Sequence, residues 1–398
     1  MNNVSVVNYK DCFSCRSCFL SCPKNAIEMI ENKEGFFYPK VTEDKCIDCG
    51  LCVKKCPSLN KVERENFEQF GLAVIAKDKN VLLKSSSGAV SSIIANKIVT
   101  DGGVVFGAAY DENLFVQHIA CKDFSELEKI KGSKYVESFT GDTFKEAKEY
   151  LENGQKVLYT GSPCQIAGLK KYLGKDYDNL FTLDLICHGV PSRKLFLKYL
   201  GWLGNRNNGK IIYYGFRDKD VGGWSCGGKV KTKTKTKTKT KTLEAYCDPY
   251  YSAFLKTKSF RESCYACPYA NTARIGDITI GDFWGVKKYY PEINEKNGVS
   301  CILVNTKKGQ QLLDSVIETI DTIPCKIEEI QKENWNLNKP SIRPEIRDSF
   351  YSGIDEDSYF LDFAETKIIF RLKWTIKHFV FSHTPRWLKD FIKKILGR

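Results

Sequence analysis

The sequence predicts an α+β fold in two parts: a small cysteine-bound head and a larger mixed α/β body. Three observations predict it. Eight of the 17 cysteines fall between residues 12 and 56, in two copies of one spacing. From Gly71 onward, short apolar runs alternate with stretches whose apolar residues recur at helical spacing. The 398 residues, 42% of them hydrophobic, are enough for two or three domains with a well-buried core.

Composition removes several classes of function. No uninterrupted apolar run reaches the roughly 18 residues of a spanning helix. The opening residues, MNNVSVVNYKDCFSC, carry no apolar signal region, so a cytoplasmic chain is expected. Disulfides are rare in that compartment, so 17 cysteines point to metal binding or redox chemistry. Four histidines argue against a His-rich zinc or iron site. The net charge of +13 is local. Lys229 to Thr242 hold seven lysines and no acid, and Lys367 to Arg398 hold nine Lys/Arg against one acid. No helix-turn-helix, finger or RNP-like pattern accompanies the charge, so no nucleic acid is expected as a partner.

The head, residues 1–60, is read from its cysteines. Cys12, Cys15, Cys18 and Cys22 follow C-x2-C-x2-C-x3-C-P, closed by Pro23. Cys46, Cys49, Cys52 and Cys56 repeat the spacing, closed by Pro57. This is the bacterial two-cluster 4Fe–4S ferredoxin pattern. Three cysteines on a tight loop reach three corners of a cubane, and the fourth, before proline, turns to the other cluster. One cluster is therefore expected on Cys12, Cys15, Cys18 and Cys56, and the other on Cys46, Cys49, Cys52 and Cys22. The alternative is a pair of structural zinc sites. Ala26–Ile30 and Phe36–Pro39 suit short strands. So few residues bury little surface alone, so the clusters should supply much of the head's stability. Arg16 follows Cys15 where Gly50 follows Cys49, and a cation beside one cluster would separate the two potentials.

In the body, residues 61–70 read as a linker or short helix. Strands are expected at 71–76, 103–108, 156–160, 180–187, 210–216, 276–281 and 299–305. Helices are expected from Ala89, and near 143–152, 165–173, 193–203 and 308–321. The run Ser85-Ser86-Ser87-Gly88 stands where a helix begins. It suits a phosphate site at a helix N-terminus, or an ordinary serine cap. A second polar turn, Gly132-Ser133-Lys134-Tyr135, offers a cation and an aromatic to the same kind of ligand, or is a surface turn.

Four later cysteines have distinctive surroundings. Cys164 follows a strand and precedes a helix, in Thr160-Gly161-Ser162-Pro163-Cys164-Gln165. Cys187 ends the next strand, in Asp184-Leu185-Ile186-Cys187-His188-Gly189. Cys264 and Cys267 form a C-x2-C pair. Together they can supply four thiolates to a third cluster. Buried apolar cysteines, or a nucleophilic thiol at Cys164, are the alternatives. Cys121, Cys226, Cys247, Cys301 and Cys325 lack such contexts and are read as non-ligands.

With these stretches in order, followed by Gly276-Asp277-Ile278-Thr279-Ile280-Gly281-Asp282-Phe283-Trp284-Gly285, the chain resembles the β subunit of coenzyme F420 hydrogenases and dehydrogenases, from residue 1 to about 325. The resemblance implies regions at 71–152 and 153–325, with an extension at 326–398. It implies an oxidoreductase that carries FAD and passes electrons between a two-electron carrier (deazaflavin F420, NAD(P)H or similar) and 4Fe–4S clusters. It makes Ser86, Ser87, Gly88, Ser133, Lys134 and Tyr135 candidates for the FAD site. Cys164, Cys187, Cys264 and Cys267 become candidates for the third cluster, with Asp277, Asp282 and Trp284 shaping the pocket. His188 is a candidate proton donor at the flavin, or a hydrogen-bonded structural residue. The expected partner is a redox carrier, or a reductase or hydrogenase. The alternative function is a flavin-free, ferredoxin-like electron-transfer subunit that docks on another enzyme.

Two segments depart from the family. Lys229 to Thr242 contain six Lys-Thr units, read as a solvated hairpin or a disordered loop that attracts an anionic partner. Near the C-terminus, Trp387, Leu388, Phe391, Ile392, Ile395 and Leu396 share one helical face opposite Arg386, Lys389 and Lys393. That pattern suits a helix packed on its own domain, or one lying on a partner or an anionic membrane as a peripheral contact.

Overall fold

A computed structural model describes residues 2–221, 223–356 and 359–360. The two basic amphipathic stretches read near the C-terminus lie outside the described residues. Among the described residues no helix is long and apolar enough to cross a membrane.

The head contains a hairpin of β1 (Ile27–Glu31) and β2 (Phe37–Val41), in which Ile27 faces Val41. Its two cysteine loops repeat in backbone as well as in sequence. Ser14 and Asp48 have φ of +55° and +53°, and Arg16 and Gly50 have +66° and +71°. Each loop then enters a one-turn helix, Ser17–Leu20 or Leu51–Lys54. Positive φ between right-handed residues curls successive N–H groups towards a common centre, a conformation suited to an anionic cluster. Arg16 takes this strained conformation where the second repeat has glycine. Its Nε donates to the Gly141 carbonyl at 3.2 Å and its guanidinium lies over Phe19 and Phe139, so the residue also ties the head to the body.

The body is built on β3 (Phe70–Ala76), β4 (Val104–Tyr110), β5 (Val116–Cys121), β6 (Val157–Gly161), β7 (Leu180–Leu185), β8 (Lys210–Gly215), β9 (Gly227–Lys233), β10 (Thr238–Glu244), β11 (Ile278–Asp282), β12 (Ser300–Val304) and β13 (Ile320–Cys325). Eight of these form one mixed sheet in the order β13-β3-β12-β11-β7-β6-β4-β5. The β11-β7-β6-β4 block is parallel and the remaining pairings are antiparallel. Because β3 and β11 both oppose β12, β3 runs with the parallel block. The carboxyl ends of β3, β6, β7 and β11 therefore share one edge, where open α/β sheets place their ligands.

Both faces of the central strands are covered. Val104, Phe106, Val157 and Tyr159 pack against Phe144, Ala147, Ile166 and Leu169, from helices Thr143–Glu152 and Pro163–Leu173. Val105, Leu158, Leu183 and Ile278 face Ile94, Ile98 and Leu312, from helices Val90–Thr100 and Lys307–Asp314. Burial on both faces explains the continuous apolar runs in the sequence.

Of the two readings of 61–70 the linker holds, since no helix forms before β3 begins at Phe70. Two other expectations change. The helix expected over 308–321 ends at Asp314, and β13 follows along the edge of the sheet, paired to β3. The serines at 85–87 do not cap the next helix. Its N-cap position is Ala89 at φ +70°, with no side-chain cap.

The Lys-Thr segment is a hairpin of β9 and β10 added to β8. Each strand alternates, but the register sets Lys231 against Thr240, Thr232 against Lys239 and Lys233 against Thr238. Each face of the hairpin is therefore mixed, and no two of its paired lysines stand directly opposite each other.

Candidate functional site

The eight head cysteines lie close together. Burial raises the Cys15 thiol well above its usual range, and Cys18, Cys56 and Cys12 are its titratable neighbours. Cys12, Cys56 and Cys52 neighbour Cys18. Cys22, Cys46, Cys49 and Cys52 line one cavity, closed by Pro23, Ile27, Val41 and Leu51. The Ala26 N–H donates to Cys22 Sγ at 3.2 Å, and Asn3 Nδ2 donates to Cys46 Sγ at 3.8 Å. Such N–H···S bonds favour the more negative, reduced state of a thiolate-bound cluster.

The third group forms on the shared sheet edge. The capping box of Ser162 and Gln165 starts helix Pro163–Leu173, which sets Cys164 directly beyond β6. Cys187 lies just beyond the neighbouring β7. Cys264 and Cys267 come from the turn Glu262–Ala266 and its end. Burial raises Cys264 well above its usual range, and Cys187, Cys267 and Cys164 are its titratable neighbours. Burial pushes Cys187 up to about 12, with Cys164 the next cause. All four residues keep partial access to solvent. Among the described residues no three His, Cys, Asp or Glu side chains are arranged to hold a single ion. Cys121, Cys301 and Cys325 donate to nearby carbonyls, away from these groups.

A polar cluster forms at the carboxyl end of β11. Ser86 Oγ accepts from both the N–H and the hydroxyl of Ser133, at 3.1 Å each, which joins the two polar turns read in the sequence. The buried Arg217 ties them to β11. Its Nη1 donates to Asp282 at 2.7 Å, Nη2 to the Ser86 carbonyl at 2.9 Å, and Nε to the Ser225 carbonyl at 2.7 Å. Trp224 Nε1 donates to Asp282 at 2.8 Å, and its ring stacks on Trp284 at 4.4 Å. Lys219 Nζ donates to the Leu82 and Ser87 carbonyls. Burial lowers Lys219 to about 8, and Arg217 is the next cause. Tyr135 stacks on Phe254 at 4.4 Å. Lys134 is pushed down to about 7 by burial, and its Nζ donates to the carbonyls of Ile130, Lys131 and Gly132. His188 is exposed to solvent at one side while desolvated by its surroundings. That setting lowers its pKa, and Asp282 opposes the shift.

Other candidates sit elsewhere. Ser87 Oγ donates to the Val299 carbonyl, and a Cβ on Gly88 would stand 2.1 Å from the Val74 carbonyl oxygen. These two residues pack the turn between β3 and β12. Asp277 lies at the opposite end of β11 from Asp282, where it accepts from Thr182 and Thr306. Arg217, Lys219 and Trp224 were not singled out from the sequence. The only signal was an arginine just past an expected strand.

Residues 154–330 match the family model for the C terminus of the coenzyme F420 hydrogenase/dehydrogenase beta subunit, and residues 11–60 match the model for a 4Fe-4S dicluster domain. The chain is 25% identical over 323 residues to the coenzyme F420-dependent sulfite reductase of Methanocaldococcus jannaschii, covering 78% of this chain and 47% of that one. It thus spans about half the length of that relative. The pyruvate synthase subunit PorD of the same organism is 32% identical over 62 residues, covering 15% of this chain and 67% of that one. A solved chain of the F420-reducing [NiFe] hydrogenase complex from Methanosarcina barkeri aligns at 17% identity and TM-score 0.43, over 71% of this chain and 99% of that chain.

The matches define a class: an iron–sulfur electron-transfer protein with relatives among oxidoreductases. Within that class, the chain pairs a stretch similar to a 4Fe–4S dicluster domain, at 11–60, with one similar to the C terminus of the coenzyme F420 hydrogenase/dehydrogenase beta subunit, at 154–330.

Proposed function

We propose that the chain is an iron–sulfur flavoprotein oxidoreductase that passes electrons between a two-electron carrier and its 4Fe–4S clusters. FAD is held in a cleft that the polar cluster at the end of β11 lines, and a third cluster is held by Cys164, Cys187, Cys264 and Cys267. The observation that carries this reading is the meeting of those four cysteines on one sheet edge, through strands β6 and β7 and a distant C-x2-C turn.

The cleft fits a flavin dinucleotide chemically. Ser86 and Ser133 supply hydroxyls, and Arg217 and Lys219 supply positive charge for a pyrophosphate. Trp284, Trp224 and Tyr135 supply flat aromatic faces. Ser87 and Gly88 hold the shape of the turn. When bound, FAD supplies the conversion between hydride and single-electron chemistry. The protein's own residues position the ring, exclude water and manage protons. His188, with Asp282 as its charged neighbour, is the group placed to hold or release a proton there. The name of the M. jannaschii relative supports a deazaflavin as the two-electron carrier.

Anaerobic purification followed by cofactor extraction tests the reading. One FAD and about twelve irons per chain are expected, from three four-iron cubanes. Cys164→Ser should bring the iron to about eight and leave the head clusters visible by EPR. About eight irons without flavin in the unmodified chain would instead establish the flavin-free docking subunit. Assaying F420, NAD(P)H and ferredoxin in turn as reductants identifies the carrier.

A further inference from the structure

The three cysteine groups are not equally connected, and the structure shows how two of them meet. Helix Pro163–Leu173 carries Cys164 at its second residue and Gly168 one turn later. A Cβ at Gly168 would stand 2.6 Å from Cys15 Cβ and 3.0 Å from Cys15 Sγ. The backbone of the helix that positions Cys164 therefore presses directly on the head's first group, and only glycine permits that approach. The buried Tyr269 has Cys164, Cys15, Cys267 and Cys56 as titratable neighbours and packs on Phe13 at 5.6 Å. The cavity of the second group, by contrast, is lined by head residues alone. The first group faces the body and the second faces away from it.

A buried ion pair lies where the first and third groups meet. Arg261 Nη2 donates to Glu137 Oε1 at 2.8 Å, and both residues are buried. Arg261 Nη1 donates to the Phe37 carbonyl at 3.3 Å and lies 3.5 Å from the Cys12 carbonyl. The guanidinium sits over the rings of Phe36 and Tyr38 at 4.7 and 4.8 Å. The Arg261 carbonyl accepts from the N–H of Cys264 in the third group at 3.0 Å, and Arg261 and Glu137 are both charged neighbours of Cys12 in the first group and of Cys164 in the third.

We propose that the Arg261–Glu137 pair is a shared electrostatic control over the first and third cysteine groups, and that the first group, not the second, is the direct redox neighbour of the third. This rests on the reading above that both groups carry clusters. Reducing a cluster adds one negative charge. In a buried, weakly screened setting a nearby cation favours that charge and a nearby carboxylate opposes it. One pair facing two clusters moves both potentials in the same sense, which keeps them matched for transfer. The second group, on the far side of the head, lies outside its reach.

The test is an EPR-monitored redox titration of the anaerobic holoprotein, with signals assigned by those lost in Cys46→Ser and Cys164→Ser. Arg261→Gln should lower the midpoints of the first and third clusters together, and Glu137→Gln should raise both. Each shift should be near tenfold in the one-electron equilibrium, about 59 mV. The second cluster should stay in place, and Arg261→Lys should restore most of the shift. Three assembled clusters with unmoved midpoints, or both substitutions shifting them in one direction, would show a purely structural pair and overturn the proposal. A predominant shift of the second cluster would overturn it too. If Arg261→Gln does not fold, Glu137→Gln decides alone: a rise in both midpoints supports the proposal and no rise overturns it. Eight irons in the unmodified chain would be a failure of the parent reading, visible before any titration.

Discussion

Arg217 shows how much one residue can organise. Its donors reach the loop after β8, the end of β11 and the turn after β3, so it joins the three-stranded sheet to the shared edge of the large one. A lysine would supply the charge but not the planar fork that serves all three. Arg217→Gln should therefore empty the cleft without touching the clusters. Flavin retained through anaerobic desalting should fall at least about tenfold, the loss of about 1.4 kcal/mol of affinity, while iron content stays unchanged. Flavin retained at full occupancy would remove Arg217 from the site. Legibility at this scale depends on whether a residue carries a pattern. The twelve cysteines stood out because thiolates at set spacings, or at strand ends, have few other uses in such a chain. Arg217 was not readable, because a single arginine past a strand has no period and no partner nearby in sequence. Asp277 and Asp282 looked alike for the same reason. They belong to opposite ends of one strand, and only the second reaches the polar cluster.

At the scale of elements, the strands that were legible are those buried on both faces, such as β4, β6 and β12. Their apolar runs leave little other reading. The two edge strands of the large sheet were not. β5 carries Gln117 and the buried His118, and β13 carries Asp321 and Pro324, a residue tolerated there because a sheet edge needs fewer ladder bonds. The Lys-Thr hairpin is a different case, because its strict alternation sets the pairing. A slip of one residue would oppose lysine to lysine, and like charges directly across a pair are destabilising. The outer part of the hairpin, from Lys233 to Lys241, buries no apolar side chain. Replacing Lys233, Lys235, Lys237 and Lys239 with serine should leave the unfolding midpoint unchanged. Reduction by an acidic protein carrier should slow several-fold at low ionic strength, and the difference should vanish near about 0.5 M salt, where the Debye length is only a few ångströms. An equal rate at low salt would leave the hairpin without a role in docking.

At the scale of the molecule, the head is an integral part of the fold. The sequence suggested that so small a unit depends on its clusters for stability, and the structure adds a second support. Phe36 from the head's hairpin is fully buried in a core built mainly by the body. Lys55 Nζ donates to the Tyr172 carbonyl, and Ser192 Oγ donates to the Glu34 carbonyl. Arg347, completely buried, makes a two-pronged pair with Glu34 at 2.8 and 2.7 Å, across 313 positions of sequence. No local pattern links two residues so far apart, which is why the docking was invisible before the fold was known. Removing one partner of a buried pair strands the other charge, whereas replacing both with apolar groups of similar size does not. Glu34→Ala should therefore cost at most about 3 kcal/mol, the lower end for such pairs, because Glu34 is partly exposed and Glu262 still stands 3.8 Å from Arg347. The double variant Glu34→Met/Arg347→Met should recover most of that loss. The readout is anaerobic denaturant unfolding followed at once by the visible absorption of the clusters and by far-UV circular dichroism. If head and body fold as one unit, both signals shift together in Glu34→Ala. An early loss of cluster absorption at unchanged backbone signal would mean that the head detaches and unfolds by itself, and that the interface serves alignment of the redox groups more than stability.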